Sequence, residues 1–435
     1  MKKTMSKVAL AALFVGVPGI AAAAVGLVGD CVDCHTMHNS EQGAPVALVT
    51  SGGTSTSVSG APIPNLLRMD CIACHAQNGP DRVVDMGGGS TIPQVYHQDT
   101  KDLAGGNFAY IDSLGSSRKG HNVIDLFSGG DDNNDTFGAP PGKYRANTHG
   151  SKFSVTTTYD QFTCAGSVGC HGTRSQMLTG DTEGNVTVNS YVYTKRTGIA
   201  AISGAHHESY DGAKTSVGYT VASTHSGKLV ADGYRFIPGL KGAGNLTNRW
   251  ENNDGADHNE YYGEAGGSGS GCGACHLTGH GIGTNAGASS RMTFDSTLKV
   301  PNNSMSGFCT TCHGMFHSGG GGDLESNGVS GAFLRHPSDY VIPADGREYE
   351  DYTAYTTTAP VARPDITGLG AGGSNAVTAG VDMVMCLSCH IAHGSPQDYM
   401  LRFDYADQQA GDATAGLGIG CLACHTDKGI FPEAR

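Results

Sequence analysis

Six times in 435 residues the chain reads C-x-x-C-H: "CVDCH" (31–35), "CIACH" (71–75), "CGACH" (272–276), "CTTCH" (309–313), "CLSCH" (386–390) and "CLACH" (421–425). A seventh unit, "CAGSVGCH" (164–171), keeps the final Cys-His but has five residues instead of two between its thiols. Together the seven units use all 14 cysteines. A repeated local motif of this kind dictates geometry wherever it occurs, so it constrains the fold more than any periodicity in the chain.

The chemistry that needs this spacing is haem attachment. Two thiols three positions apart can add to the two vinyl groups of one haem, and the next residue, His, then lies beneath the iron as proximal ligand. Zinc sites and redox dithiols also use C-x-x-C pairs, but neither requires a His directly after the second Cys. In the stretched unit, Gly166 and Gly169 permit a loop that bulges and still returns Cys164 to Cys170. A Cys164–Cys170 disulfide is geometrically open as well. It would leave His171 unexplained, whereas haem attachment leaves no thiol over. Seven covalent haem c groups are therefore expected on Cys31, Cys34, Cys71, Cys74, Cys164, Cys170, Cys272, Cys275, Cys309, Cys312, Cys386, Cys389, Cys421 and Cys424. The proximal ligands would be His35, His75, His171, His276, His313, His390 and His425.

The rest of the composition suits a chain organised by such groups. It holds 66 Gly, 13 Phe and a single Trp, Trp250, which is little material for a side-chain core. About 59 residues after export serve each haem, a ratio at which the haems themselves form the core. The fold expected is an elongated, haem-cored multihaem cytochrome c. It is mostly irregular loop, with short α-helices at the motifs and a few short strands. "NVTVNSYVYT" (185–194) alternates as a strand does, while "TSGGTSTSVSG" (50–60) and "GLGAGGSNAVTAG" (368–380) read as loops. Along the chain we expect a signal peptide (1–24), a di-haem region (25–130), an insert carrying the stretched site (131–271) and a tetra-haem region (272–435), joined as one unit. The acidic runs "GGDDNNDTFG" (129–138) and "NNDGAD" (252–257) do not match an EF-hand loop and read as Asx turns.

The N-terminus predicts export. Lys2, Lys3 and Lys7 precede the apolar run "VALAALFVGV" (8–17), and "AAAA" (21–24) offers small residues for cleavage. No later apolar run is long enough to span a membrane. The formal net charge of −13 falls to about −16 once the three signal lysines are removed. Such a chain is a poor partner for nucleic acid or an anionic membrane.

Of 19 histidines, twelve are not proximal. That supply suffices for bis-His ligation of every iron. His38, His280, His317 and His393 follow a motif by one helical turn and share a face with its proximal His. The two axial ligands of one iron approach from opposite faces, so His38 cannot serve the haem of His35, nor His393 that of His390. As ligands they would bind neighbouring haems. The other distal candidates are His97, His121, His206, His207, His258 and His336, with one of the pair His206–His207 expected to ligate; His225 looks like plain surface. All seven motifs end in His and none in Lys, so no open catalytic iron is signalled; an electron carrier is expected rather than an enzyme.

"CVDCHTMHNS" (31–40), "LAGGNF" (103–108), "RKGHNV" (118–123), "FLRHP" (333–337) and "CLSCHIAH" with "LRFDY" (386–405) are similar, in the same order, to the OmcS-like family of hexahaem, filament-forming outer-membrane cytochromes of metal-reducing bacteria. The resemblance implies bis-His haems stacked in a continuous chain. It implies subunits that polymerise into extracellular conductive filaments, with His38 ligating the His390 haem of the adjacent copy. His97, His121 and His336 would be distal ligands within the subunit. Implied partners are other copies of the chain, other multihaem cytochromes and extracellular acceptors such as Fe(III) minerals. This chain differs in having seven sites and in a segment, about 126–304, without clear counterpart. A monomeric periplasmic or cell-surface shuttle is the alternative.

Overall fold

The computed structural model describes most of residues 31–127, then 163–165, 169–171, 185–188 and 191–194. It further describes short stretches between 237 and 263, residues 305–310 and most of 336–429. The expected signal peptide, Cys272, Cys275, His276, Cys312, His313, His206, His207 and His317 lie outside the described residues.

Loop dominates, as the composition predicts, and the helices are single turns placed on the motifs. They are α1 (Cys31–Cys34), α2 (Cys71–His75), α3 (Met305–Thr310), α4 (Cys386–Cys389) and α5 (Cys421–Cys424). One turn is what C-x-x-C needs to put both thiols on one face, and a helix that short does not hold itself together in water. Tertiary contacts hold these. Asp70 caps α2 by accepting from Ala73 N at 2.8 Å. Ser388 Oγ accepts from Met385 N at the start of α4 and donates to Pro360 O. The cap of α5 is remote in sequence: Gln408 Oε1 accepts from Cys421 N at 2.8 Å.

Two antiparallel strand pairs come first, β1 (Leu48–Thr50) with β2 (Thr56–Val58) and β3 (Val83–Gly87) with β4 (Ser90–Pro93). The stretched motif departs from the helical expectation. Thr163–Ala165 (β5) and Gly169–His171 (β6) pair as short strands, with Ala165 opposite His171. Three extra residues remove the i, i+3 relation that one helical turn supplies, so the backbone satisfies itself by pairing instead. The segment expected to be one strand is a hairpin, β7 (Asn185–Val188) against β8 (Tyr191–Thr194). The residues between them, Asn189 and Ser190, are of the kind that favour a reversal.

The largest sheet has five strands in the order β11–β13–β12–β10–β9. They are β11 (Tyr340–Val341), β13 (Met383–Val384), β12 (Ala362–Arg363), β10 (Glu260–Tyr262) and β9 (Leu240–Lys241). It joins the middle of the chain to the segment that enters α4. Apolar packing is divided among small clusters, and motif cysteines line them. Leu240, Tyr261, Met305, Ala362, Met383 and Met385 pack with Cys170 and Cys309 at their edge. Ile72, Tyr96, Phe108, Ile111 and Val123 pack with Cys164. Ile342, Tyr352, Val361 and Val377 pack with Cys424. The two thiols of the stretched motif thus belong to different clusters, and the motif bridges them.

Candidate haem-iron centres

No disulfide joins the described cysteines, Cys164 and Cys170 included. Burial, with the charges of Cys34 and Cys71 adding, pushes the Cys74 thiol up to about 12. Cys389 and Cys424 rise to about 12 for the same primary reason, each helped by the neighbouring motif's thiol. Zinc binding needs thiolates. These surroundings disfavour thiolate and suit an uncharged thioether sulfur.

The motifs are brought together in a definite order. Arg68 N donates to Cys34 O at 2.8 Å and Thr36 N to Leu66 O, which lays the first motif beside the approach to the second. Arg402 N donates to Cys389 O at 2.9 Å, and the same chain segment goes on to supply Gln408 at α5, joining the last two. "LAGGNF" and "RKGHNV" close around residues 391–395. His393 N donates to Gly105 O, His121 N to His393 O and Asn107 N to Gly394 O. At Gly106 (φ +82°) a Cβ would lie 2.2 Å from Gly394 O, so the approach requires glycine.

Ring geometry tests whether these histidines suit a haem iron. Four of them are held through Nδ1. His75 donates to Pro93 O at 2.9 Å, His390 to Tyr399 O at 2.9 Å, His121 to Ala392 O at 2.6 Å and His425 to Glu348 Oε1 at 2.6 Å. Carbonyl and carboxylate oxygens only accept, so the proton sits on Nδ1 and the lone pair on Nε2, the tautomer of a metal-ligating His. Two imidazoles bound to opposite faces of one metal, with bonds of about 2 Å, place their ring centroids roughly 6 Å apart. His171 and His393 are 6.0 Å apart by that measure, and His336 and His425 are 6.2 Å apart. Both pairs fit. His393 is stacked on Phe108 at 4.8 Å. Burial, then the neighbouring His171, lowers its pKa to about 3, so the ring is neutral, as ligation demands.

Other candidates sit differently. His38 is exposed beside Met37, which is 78% exposed. His97 is buried; its Nδ1 accepts from Asp99 N at 3.2 Å and its Nε2 lies 3.9 Å from Asp102 Oδ1. His258 is buried and stacked on Tyr355 at 3.6 Å, and its Nε2 is engaged by Glu260 Oε1 at 3.2 Å. Glu260 in turn accepts from Arg363 Nε at 2.8 Å, and Arg363 Nη1 donates to Asp382 at 2.8 Å. This charged cluster had no signal in the sequence, because Glu260 and Arg363, which join its two halves, are 103 residues apart. The outer partners of the candidate rings were invisible too: Pro93, Ala392 and Tyr399 act through backbone oxygens, which carry no residue-type signature.

A family model described as a doubled CXXCH motif matches residues 377–430, the stretch holding the last two sites. The C-type cytochrome OmcS of Geobacter sulfurreducens is 27% identical to the chain over 448 residues, 93% of this chain and 86% of that protein. The chain is thus similar to the OmcS-like multihaem cytochromes. The doubled motif and this similarity support covalently bound haem c. Two solved structures are also similar, each 18% identical over 94% of this chain. They are the OmcS nanowires (92% of that chain, TM-score 0.36) and the outer membrane cytochrome S filament (94%, TM-score 0.40) of Geobacter sulfurreducens. Among the described residues of this OmcS-like chain, no helix is long and apolar enough to cross a membrane.

Proposed function

We propose that the chain is a heptahaem electron carrier that polymerises into an extracellular filament, with every iron held by two histidines. The observation that carries the reading is the spacing of two imidazole pairs. The ring centroids of His171 and His393, and of His425 and His336, stand 6.0 and 6.2 Å apart, the separation that one iron between each pair requires. On this reading Cys164, Cys170 and His171 hold a seventh haem whose distal ligand is His393. That ligand leaves the "CLSCHIAH" segment to serve a neighbouring site. His336 closes the last haem, and His121, held through Ala392 O, is a further distal ligand.

Haem c supplies a one-electron Fe(III)/Fe(II) couple. The residues do the rest: thioethers fix position, imidazoles keep both axial places filled, and filled places leave no iron open to a substrate. His38 and His390 are both exposed, as an axial pair completed between two copies needs them to be. The export signal suits a periplasmic or an extracellular protein alike, and the likeness to OmcS supports the extracellular location.

The test is in two parts. Intact mass of the secreted protein should count seven haems; six would remove the stretched site. Electron microscopy of the same fraction should show uniform thin filaments, and a monodisperse particle would leave a monomeric shuttle as the function.

A further inference from the structure

The proximal histidines differ in what holds the outer ring nitrogen. His75 and His390 donate to neutral backbone carbonyls, Pro93 O and Tyr399 O, both at 2.9 Å. His425 donates to a side-chain carboxylate, Glu348 Oε1, at 2.6 Å. A charged acceptor draws the shared proton more strongly than an amide oxygen does, and the bond shortens accordingly. The imidazole then gains anionic character and becomes a stronger donor at Nε2. A more basic axial ligand favours Fe(III) over Fe(II).

We infer that Glu348 sets the reduction potential of the C-terminal haem, holding it below the haems of His75 and His390. The inference deepens the proposed function and rests on its reading of His425 as an axial ligand. Glu348 is built into position for this. Thr426, directly after the proximal His, donates from N and Oγ1 to Glu348 O at 2.8 and 2.9 Å. The backbone of the ligand segment therefore holds the residue that polarises the ligand. Lys428 Nζ lies 3.5 Å from the same Oε1 and is 56% exposed, so it draws part of the negative charge away. Glu348 lowers the site and Lys428 restrains the lowering. An electron passing from the haem of His75 or His390 to the C-terminal haem then moves uphill.

The experiment is a potentiometric titration of the full-length holoprotein, followed by the low-spin haem signals. Glu348→Gln keeps the backbone clamps and the side-chain shape, and its amide oxygen accepts from His425 as Pro93 O does from His75. One titrating component should move to higher potential, by about tenfold in its Fe(II)/Fe(III) ratio at fixed potential, or about 59 mV for one electron. Lys428→Gln should move the same component down. Removing Cys421 and Cys424 together should delete that component, which assigns it. If Glu348→Gln lowers the melting temperature but leaves every potential in place, Glu348 is a fold clamp only and the inference is wrong. If the double cysteine variant carries as many haems by mass as the wild type, the haem reading of the site fails instead.

Discussion

Arg363 shows how much one residue can hold in a protein with little side-chain core. Its guanidinium is 7% exposed and donates to Glu260, Asp382, Ser374 O and Ala376 O. The two carboxylates do not share the gain equally. Burial raises Glu260, but the His258 ring, Arg363 and the Ser374 N–H outweigh it and hold Glu260 below its ordinary value of 4.5. At Asp382 burial prevails over the same arginine and the pKa rises. Removing one member of a buried pair strands the other charge, so Arg363→Ala should cost about 3–5 kcal/mol by chemical denaturation. The pH dependence follows from the Glu260 sign. Its folded pKa is depressed, so its stabilisation is present above 4.5 and is lost as pH falls through the folded value. The stability gap between wild type and Glu260→Gln should be full at neutral pH, narrow only below the ordinary value of 4.5, and close once the pH is below the depressed folded value. A gap that persists in acid would show that Glu260 contributes by packing alone.

At the scale of elements, C-x-x-C spacing was enough to read α1, α2, α4 and α5 in advance, because thiols at i and i+3 share a face only on a helical turn. The five-stranded sheet was not legible. Strands of two or three residues carry no period-2 signal, and β10 meets β12 across 100 residues of chain. For the stretched motif the sequence offered a chemical expectation but no geometry: its strand pairing was not readable. His393 was expected to ligate some neighbouring haem, and the folded clamp of "LAGGNF" and "RKGHNV" brings its ring centroid to 6.0 Å from that of His171. That clamp depends on Gly106. Gly106→Ala adds a Cβ at φ +82° against Gly394 O, which should cost about 1–3 kcal/mol and displace the His393 segment. The expected result is one haem turning high-spin in optical and EPR spectra with the haem count by mass unchanged. His393→Ala should produce the same spectrum without the strain, and a fully low-spin protein in both cases would take His393 out of the ligand set.

Across the described residues the molecule is a series of small apolar clusters lined by motif cysteines, with hydrogen-bonded crossings that carry the chain from one cluster to the next. In such an arrangement the ends matter as much as the middle. Val32 and Met37 are 58% and 78% exposed at the first motif, and Tyr399 and Tyr405 are 65% and 72% exposed beside the sixth. His38 sits on the first of these faces and His390 on the second. On the proposed function His38 is an axial ligand and the His390 haem awaits its second one, and two copies in register satisfy both at once. His38→Ala should therefore leave every haem attached, because no thioether depends on it. Polymerisation should be lost, and the haem of His390 should become high-spin in every copy. Electron microscopy and the spin-state spectrum of one preparation read both effects. Filaments that persist with all haems low-spin would mean that the contact between copies is made elsewhere and that His390 finds its second ligand within its own chain.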